Sequence, residues 1–200
     1  MDGSFFNGIF ININNSFIMV TNISKNGVAL CAYYECAGDP NNPKWLKAYL
    51  DSGGVWTIGI GTIKYPNGKP VKKGDVITPE QRDEYFLFEI KDKVERVNYL
   101  TRDDITQQQF DALVDFSYNV GTVGLQKSTL LKTVNASLTN KEIVKNFLAW
   151  RFDNGKEVAG LTRRRMSDAY MYFTGKIKTD WLNYRTYSQA TVNEVLKAIG

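Results

Sequence analysis

The chain has 200 residues, 43% of them hydrophobic, 23% charged and 13% aromatic, with a formal net charge of +4; such a chain is one globular domain, with or without two lobes, and falls outside the disordered and membrane-spanning classes. It contains no histidine and only two cysteines. That excludes Ser-His-Asp and Cys-His catalysis and removes the usual zinc ligands, leaving carboxylates as the natural acid-base groups.

Residues 5–20 alternate loosely at Phe6, Ile9, Ile11 and Ile13, which predicts a strand or short ribbon. No Lys or Arg precedes Lys25, so the basic flank of a signal peptide is missing. Residues 1–23 are read as an N-terminal arm, packed on the body or holding a partner. From Ser24 the pattern turns helical: Ser24 is the N-cap, Val28, Cys31, Ala32 and Cys36 are the apolar positions, and Gly38 and Pro40 stop the helix. Cys31 and Cys36 lie on different faces of it and are read as buried thiols rather than a disulfide. Residues 45–77 read as strands and hairpins, a small β-lobe. Beyond it, Thr78, Thr106 and Thr139 each stand three residues before Gln81, Gln109 or Glu142, predicting three capping boxes. The first opens a helix over 79–99 with Phe86, Ile90, Val94 and Val97 on one stripe; the second opens a helix that ends at Gly121. Further helices are expected over 128–135, 140–151, 161–174 and 188–199. The order is that of an α+β chain with a cleft between its lobes.

One stretch carries the chemistry. In YLDSGGVWTIGIGT, residues 49–62, a lone aspartate sits on a glycine-rich turn. Hydrolysis of a glycosidic bond needs one proton-bearing carboxyl and one ionised carboxylate on opposite sides of the sugar, and Glu35 and Asp51 have settings that differ in that sense. Glu35 stands in the last turn of its helix, where free carbonyls repel negative charge and Tyr33, Tyr34 and apolar neighbours surround it, which suits a general acid. Asp51 has turn N–H groups and solvent to keep it charged, which suits a general base. Thr57, on the returning strand, is expected to aim its hydroxyl at the same water. Asp39, Asp75, Asp103 and Asp153 are equally loop-like and are read as solvated surface. The run Arg163-Arg164-Arg165 would attract phosphate, but beside Met166, Tyr170 and Met171 it reads as a helix with one solvated and one packed face, so nucleic acid is not expected.

The ordered set of Glu35 at a helix end, AYLDSGGVWTIGIGT, QQQFDALVDFSYNVG, STLLKTVN, FLAW and GLTRRRMSDAY resembles the phage-type lysozymes of glycoside hydrolase family 24, the endolysin muramidases, over roughly residues 28–175. The resemblance implies a lysozyme-like α+β fold: a small antiparallel β-lobe and a larger helical lobe joined by a long helix, with the arm at 1–23, the catalytic domain at 24–175 and a helical extension packed on it at 176–200. It makes Glu35 the acid, Asp51 the catalytic aspartate and Thr57 the water-orienting residue. It puts Asn119 and Thr129 on the substrate cleft. The implied reaction is cleavage of the β-1,4 bond between N-acetylmuramic acid and N-acetylglucosamine in peptidoglycan, with inversion and without metal or cofactor. An inverting pair leaves room for a water, at a carboxyl separation of about 6.5–9.5 Å. The expected partner is the glycan strand of a bacterial wall, met by a monomer that waits in the host cytoplasm, has no stable membrane insertion and binds no nucleic acid. A catalytically silent wall-binding or virion module is the alternative. The chain departs from the family pattern in three places: Cys36-Ala37-Gly38 and the insert DPNNPKW follow Glu35, Thr62 stands where a histidine is usual, and Asp168 where glutamate is. The tail after Gly175 is read as a packed cap or as a surface for the wall or a partner.

Overall fold

The computed structural model describes residues 20, 22–51, 53–181 and 189–200. Most of the arm therefore lies outside the described residues. What is described of it is tied down, with Val20 and Ile23 packed against the helical core and the Asn22 carbonyl accepting from Gln107 Nε2 at 2.9 Å.

The first helix, α1 (Lys25–Glu35), begins where Ser24 accepts from the N–H groups of Asn26 and Gly27. It buries Gly27, Leu30, Cys31 and Ala32, and both cysteines are buried and unpaired. A 3₁₀ turn at Pro43–Leu46 follows. The β-lobe holds less strand than the alternating sequence suggests. Among the described residues its one two-stranded ladder is β1 (Tyr49–Leu50) with β2 (Trp56–Thr57), antiparallel, Tyr49 opposite Thr57 and Leu50 opposite Trp56, with single antiparallel bridges at Lys47–Val76, Ile58–Thr62 and Lys64–Pro70. The apolar run past Trp56 stops being a strand because Gly59 and Gly61 adopt φ of +63° and +81°, a conformation that turns the chain and that glycine takes without strain. Ile58 and Thr62 close that turn with reciprocal backbone bonds of 2.8 and 3.0 Å. The lobe has its own small core of Ile58, Val71 and Ile77, flanked by Leu46, Ala48, Trp56, Tyr65 and Tyr85.

The long helix α2 (Pro79–Leu100) joins this lobe to the helical one and buries Phe86, Ile90, Val94 and Val97, as its stripe predicts. Then come α3 (Gln107–Val120), α4 (Thr122–Lys127), α5 (Thr129–Asn135) and α6 (Asn140–Leu148). The hairpin of β3 (Phe152–Asp153) and β4 (Lys156–Glu157) follows, then α7 (Ala159–Thr174) and α8 (Gln189–Ile199). Helix α3 is the centre: it packs against α7, α2, α1 and α4, and every residue from Phe110 to Ser117 is buried. The capping boxes form at Thr78, Thr106 and Thr139. The expected helix at 140–151 stops at Leu148, and α4 and the hairpin are additions to the sequence reading.

The extension is packed on the body. Trp181 is buried, its Nε1 donating to Ser167 Oγ at 3.0 Å and to the Lys178 carbonyl at 2.9 Å. Val192 and Val195 of α8 are fully buried, against α6 and α7. Among the described residues no helix is long and apolar enough to cross a membrane.

Candidate active site

Asp51 is held as the sequence leads one to expect. It leaves the end of β1, and its Oδ1 accepts from the N–H groups of Gly53 at 2.9 Å and Val55 at 2.8 Å. Its backbone closes the same turn, with Asp51 N donating to the Val55 carbonyl at 3.0 Å and Gly54 N donating to Asp51 at 3.0 Å. The side chain stays exposed. Two amide donors on one carboxylate oxygen fix its direction and leave Oδ2 toward solvent, an arrangement suited to holding a water.

Thr57 is buried, and its hydroxyl donates to the Val55 carbonyl at 3.1 Å. Val55 thus binds both functional groups: its N–H holds the carboxylate and its C=O receives the threonine hydroxyl. With the hydroxyl proton occupied, the Thr57 oxygen presents lone pairs, so it would accept a hydrogen bond from a water rather than donate one.

Glu35 ends α1 at partial exposure, its side chain 25% accessible. The structure adds a partner that the sequence reading lacked, Arg164, whose Nη1 donates to Glu35 Oε1 at 2.7 Å. The same guanidinium bonds Asp115 through Nε at 3.0 Å and Nη2 at 2.8 Å, and lies over the Tyr34 ring at 5.3 Å. Arg164 and Arg165 are therefore buried, and of the three arginines only Arg163 is partly exposed. Arg165 faces Asp168 at 2.8 Å with both side chains fully buried, and lies 4.9 Å from the Phe116 ring centroid.

Burial, then the charges of Cys36, Glu35 and Asp51, push the Tyr49 hydroxyl up to about 12. Tyr118 of α3 is a further neighbour. Burial, and next the Glu35 charge, push its hydroxyl far above the ordinary tyrosine value, and its oxygen donates to the Ile60 carbonyl at 3.3 Å. The turn after Glu35 is rebuilt as the insert requires. Ala37 takes φ of +51° and Gly38 +89°, and Gly38 N returns to the Tyr33 carbonyl at 2.7 Å. The insert folds back on the β-lobe: Trp45 Nε1 donates to the Asp39 carbonyl, Gly59 N to the Trp45 carbonyl, and Arg82 to the Pro40 carbonyl. Trp45 then stands edge-on to Tyr49 at 5.3 Å. Thr62, in place of the usual histidine, is fully buried, and its hydroxyl has no partner among the described residues.

Asn119 is exposed near the end of α3. It lines a groove of about 500 Å³ with Val120, Trp150, Phe152, Asp153, Val158 and Leu161. Thr129 is the first residue of α5, exposed, and does not line that groove. Sequence reasoning missed the groove wall at Trp150 and Phe152 and the role of Arg164. The hairpin carrying Phe152 had a readable signal in Asn154-Gly155, the commonest two-residue hairpin turn, here with φ of +47° and +76°. Arg164 had none. Among the described residues, no three carboxylate or thiol side chains come together as a metal-sized group.

The phage lysozyme family model matches residues 45–168, which include Asp51, Thr57, Asn119 and Thr129. The endolysin of Bacillus phage B103 is 35% identical over 157 residues, covering 78% of this chain and 56% of that protein. The endolysin of Salmonella phage P22 is 32% identical over 130 residues, covering 64% of this chain and 87% of that protein. The solved endolysin from Escherichia coli O157:H7 phage FAHEc1 superposes with a TM-score of 0.69 at 35% identity, covering 78% of this chain and 96% of that one. The chain thus spans about half the length of the Bacillus phage endolysins it matches.

Proposed function

We infer the function of this chain from the premise that it belongs to the phage lysozyme family, whose model covers residues 45–168. The chain is a muramidase: it hydrolyses the β-1,4 bond between N-acetylmuramic acid and N-acetylglucosamine in peptidoglycan, in the service of phage lysis. The observation that supports the reading is the hold on Asp51, whose Oδ1 accepts from the N–H groups of Gly53 and Val55, with Thr57 tied to the same turn through the Val55 carbonyl.

In this reaction Glu35 delivers a proton to the departing sugar oxygen as positive charge builds on the ring. Asp51, fixed by two amide donors, takes a proton from a water that attacks the opposite face, and the anomeric configuration inverts. The Thr57 oxygen orients that water by accepting a hydrogen bond from it. Asn119 and the aromatic wall of Trp150 and Phe152 suit a sugar chain, which stacks its apolar faces on rings and bonds its amides to amides. A net charge of +4 favours approach to an anionic wall. The chain acts as a monomer after release from the cytoplasm of the infected cell, and Thr129 flanks the bound glycan.

The test is lysis of purified walls. Correct placement of a general acid contributes about 10²- to 10⁴-fold, so Glu35→Gln and Asp51→Asn should each lose lysis by that order while keeping the wild-type circular dichroism spectrum. Walls that clear at the wild-type rate with Glu35→Gln rule out the assignment. Wild-type protein that binds walls without clearing them points instead to a silent binding module.

A further inference from the structure

The helical lobe holds a buried ionic network that the reaction described above does not use. Asp115 in α3 is completely buried, and Arg164 in α7 is 95% buried. Their contact is a two-point fork, Nε to Oδ2 at 3.0 Å and Nη2 to Oδ1 at 2.8 Å, which fixes both the position and the plane of the guanidinium. Only Nη1 is left on that edge, and it reaches Glu35 Oε1 at 2.7 Å. Burial alone would push the Asp115 carboxyl up, but the Arg164 guanidinium outweighs it and holds Asp115 ionised, below the ordinary carboxylate range.

We propose that Asp115 is a positioning residue for Glu35: by clamping Arg164 from behind, it sets where the Glu35 carboxyl stands and neutralises part of the positive charge that this carboxyl meets. The inference rests on the reading of Glu35 as the proton donor. A long arginine without a rear anchor has several rotamers available and would carry Glu35 with it. With the anchor, the two ends of the guanidinium serve two carboxylates, one structural and buried, one partly exposed and reactive. The charged and titratable groups around Glu35 are Arg164 from α7, Tyr118 and, behind Arg164, Asp115 from α3, Tyr49 from β1, and the adjacent Cys36. Of these, Asp115 is the carboxylate bonded to the arginine that bonds Glu35.

The decisive variant is Asp115→Asn, compared with Asp111→Asn. Asp111 lies one turn earlier in the same helix, is also buried, and its carboxylate accepts from Ser24 N at 2.9 Å, Ser24 Oγ at 2.5 Å and Gln107 Nε2 at 2.9 Å. Both variants should lose thermal stability. Asp115→Asn alone should lower kcat on purified walls by about tenfold with KM unchanged, and move the alkaline limb of the pH–rate profile toward lower pH, because an uncompensated Arg164 favours a charged neighbour. A readout that needs no turnover is the carboxyl-carbon NMR titration of Glu35, assigned with Glu35→Gln, which should move in Asp115→Asn and stay in place in Asp111→Asn. Glu35 titration and pH limb unchanged in Asp115→Asn, or displaced equally in Asp111→Asn, overturn the proposal. Lysis retained by Glu35→Gln is a separate result, and it removes the acid assignment while the titration still decides the coupling.

Discussion

At the scale of single residues, the groups that bind their own neighbours were readable and those that bind across the fold were not. The carboxylate of Asp51 is held by amides two and four positions on, an arrangement that a glycine-rich turn announces. Thr57 is oriented by a carbonyl two positions back. Thr57→Val keeps the shape and removes the hydroxyl; we expect a fall in kcat of up to about 100-fold, partial recovery in Thr57→Ser, and unchanged thermal midpoints. Arg164 is the opposite case: its partners lie 49 and 129 positions away, and a run of three arginines looks like a solvated face. Gly27 is also legible only in three dimensions. A Cβ there would sit 2.6 Å from Ile23 Cγ1 and 2.8 Å from Asp111 Cγ, so Gly27→Ala should cost about 1–3 kcal/mol by overpacking, read by urea denaturation.

At the scale of elements, helix starts were predictable because a cap is a four-residue device. Ser24 opens α1 by accepting two amides, and also donates to Asp111 of α3, so its cap doubles as a tertiary clamp. Ser24→Ala should lose at least the roughly 1 kcal/mol of an ordinary cap, measured by chemical denaturation. The Thr139 box has a pH signature. Hydrogen bonds from the Thr139 side chain and then its backbone hold the Glu142 carboxyl below its ordinary value. A depressed acid contributes stability above its unfolded value and loses it as pH falls through the folded one. The gap in thermal midpoint between wild type and Thr139→Ala should therefore be present at pH 7 and narrow below about pH 4.5. Strands were over-read for a local reason: Trp56 to Ile63 is apolar enough for a strand, but Gly59 and Gly61 at positive φ fold it into a turn. The six residues of α4 are too few to display a period.

At the scale of the molecule, the two lobes have separate cores, bridged by α2, whose 22 residues span about 33 Å. The extension braces the reactive helix. Trp181 and Tyr34 both bond Ser167 Oγ, and Tyr34 precedes Glu35 in α1. Trp181→Ala should cost about 3–5 kcal/mol, a drop in thermal midpoint of about 6–20 °C, followed by differential scanning calorimetry. By itself the sequence determined what depends on neighbours along the chain: the α+β order, the capped helix starts, the stripe of α2 and the turn that holds Asp51. Only the tertiary structure decided that Glu35 meets a guanidinium, that two arginines of a basic run are buried, and that Trp150 and Phe152 share a groove with Asn119. The physical reason is range: turns and caps are closed by bonds spanning two to four residues, whereas the charge environment of Glu35 is set by side chains that meet only when α1, α3 and α7 pack together.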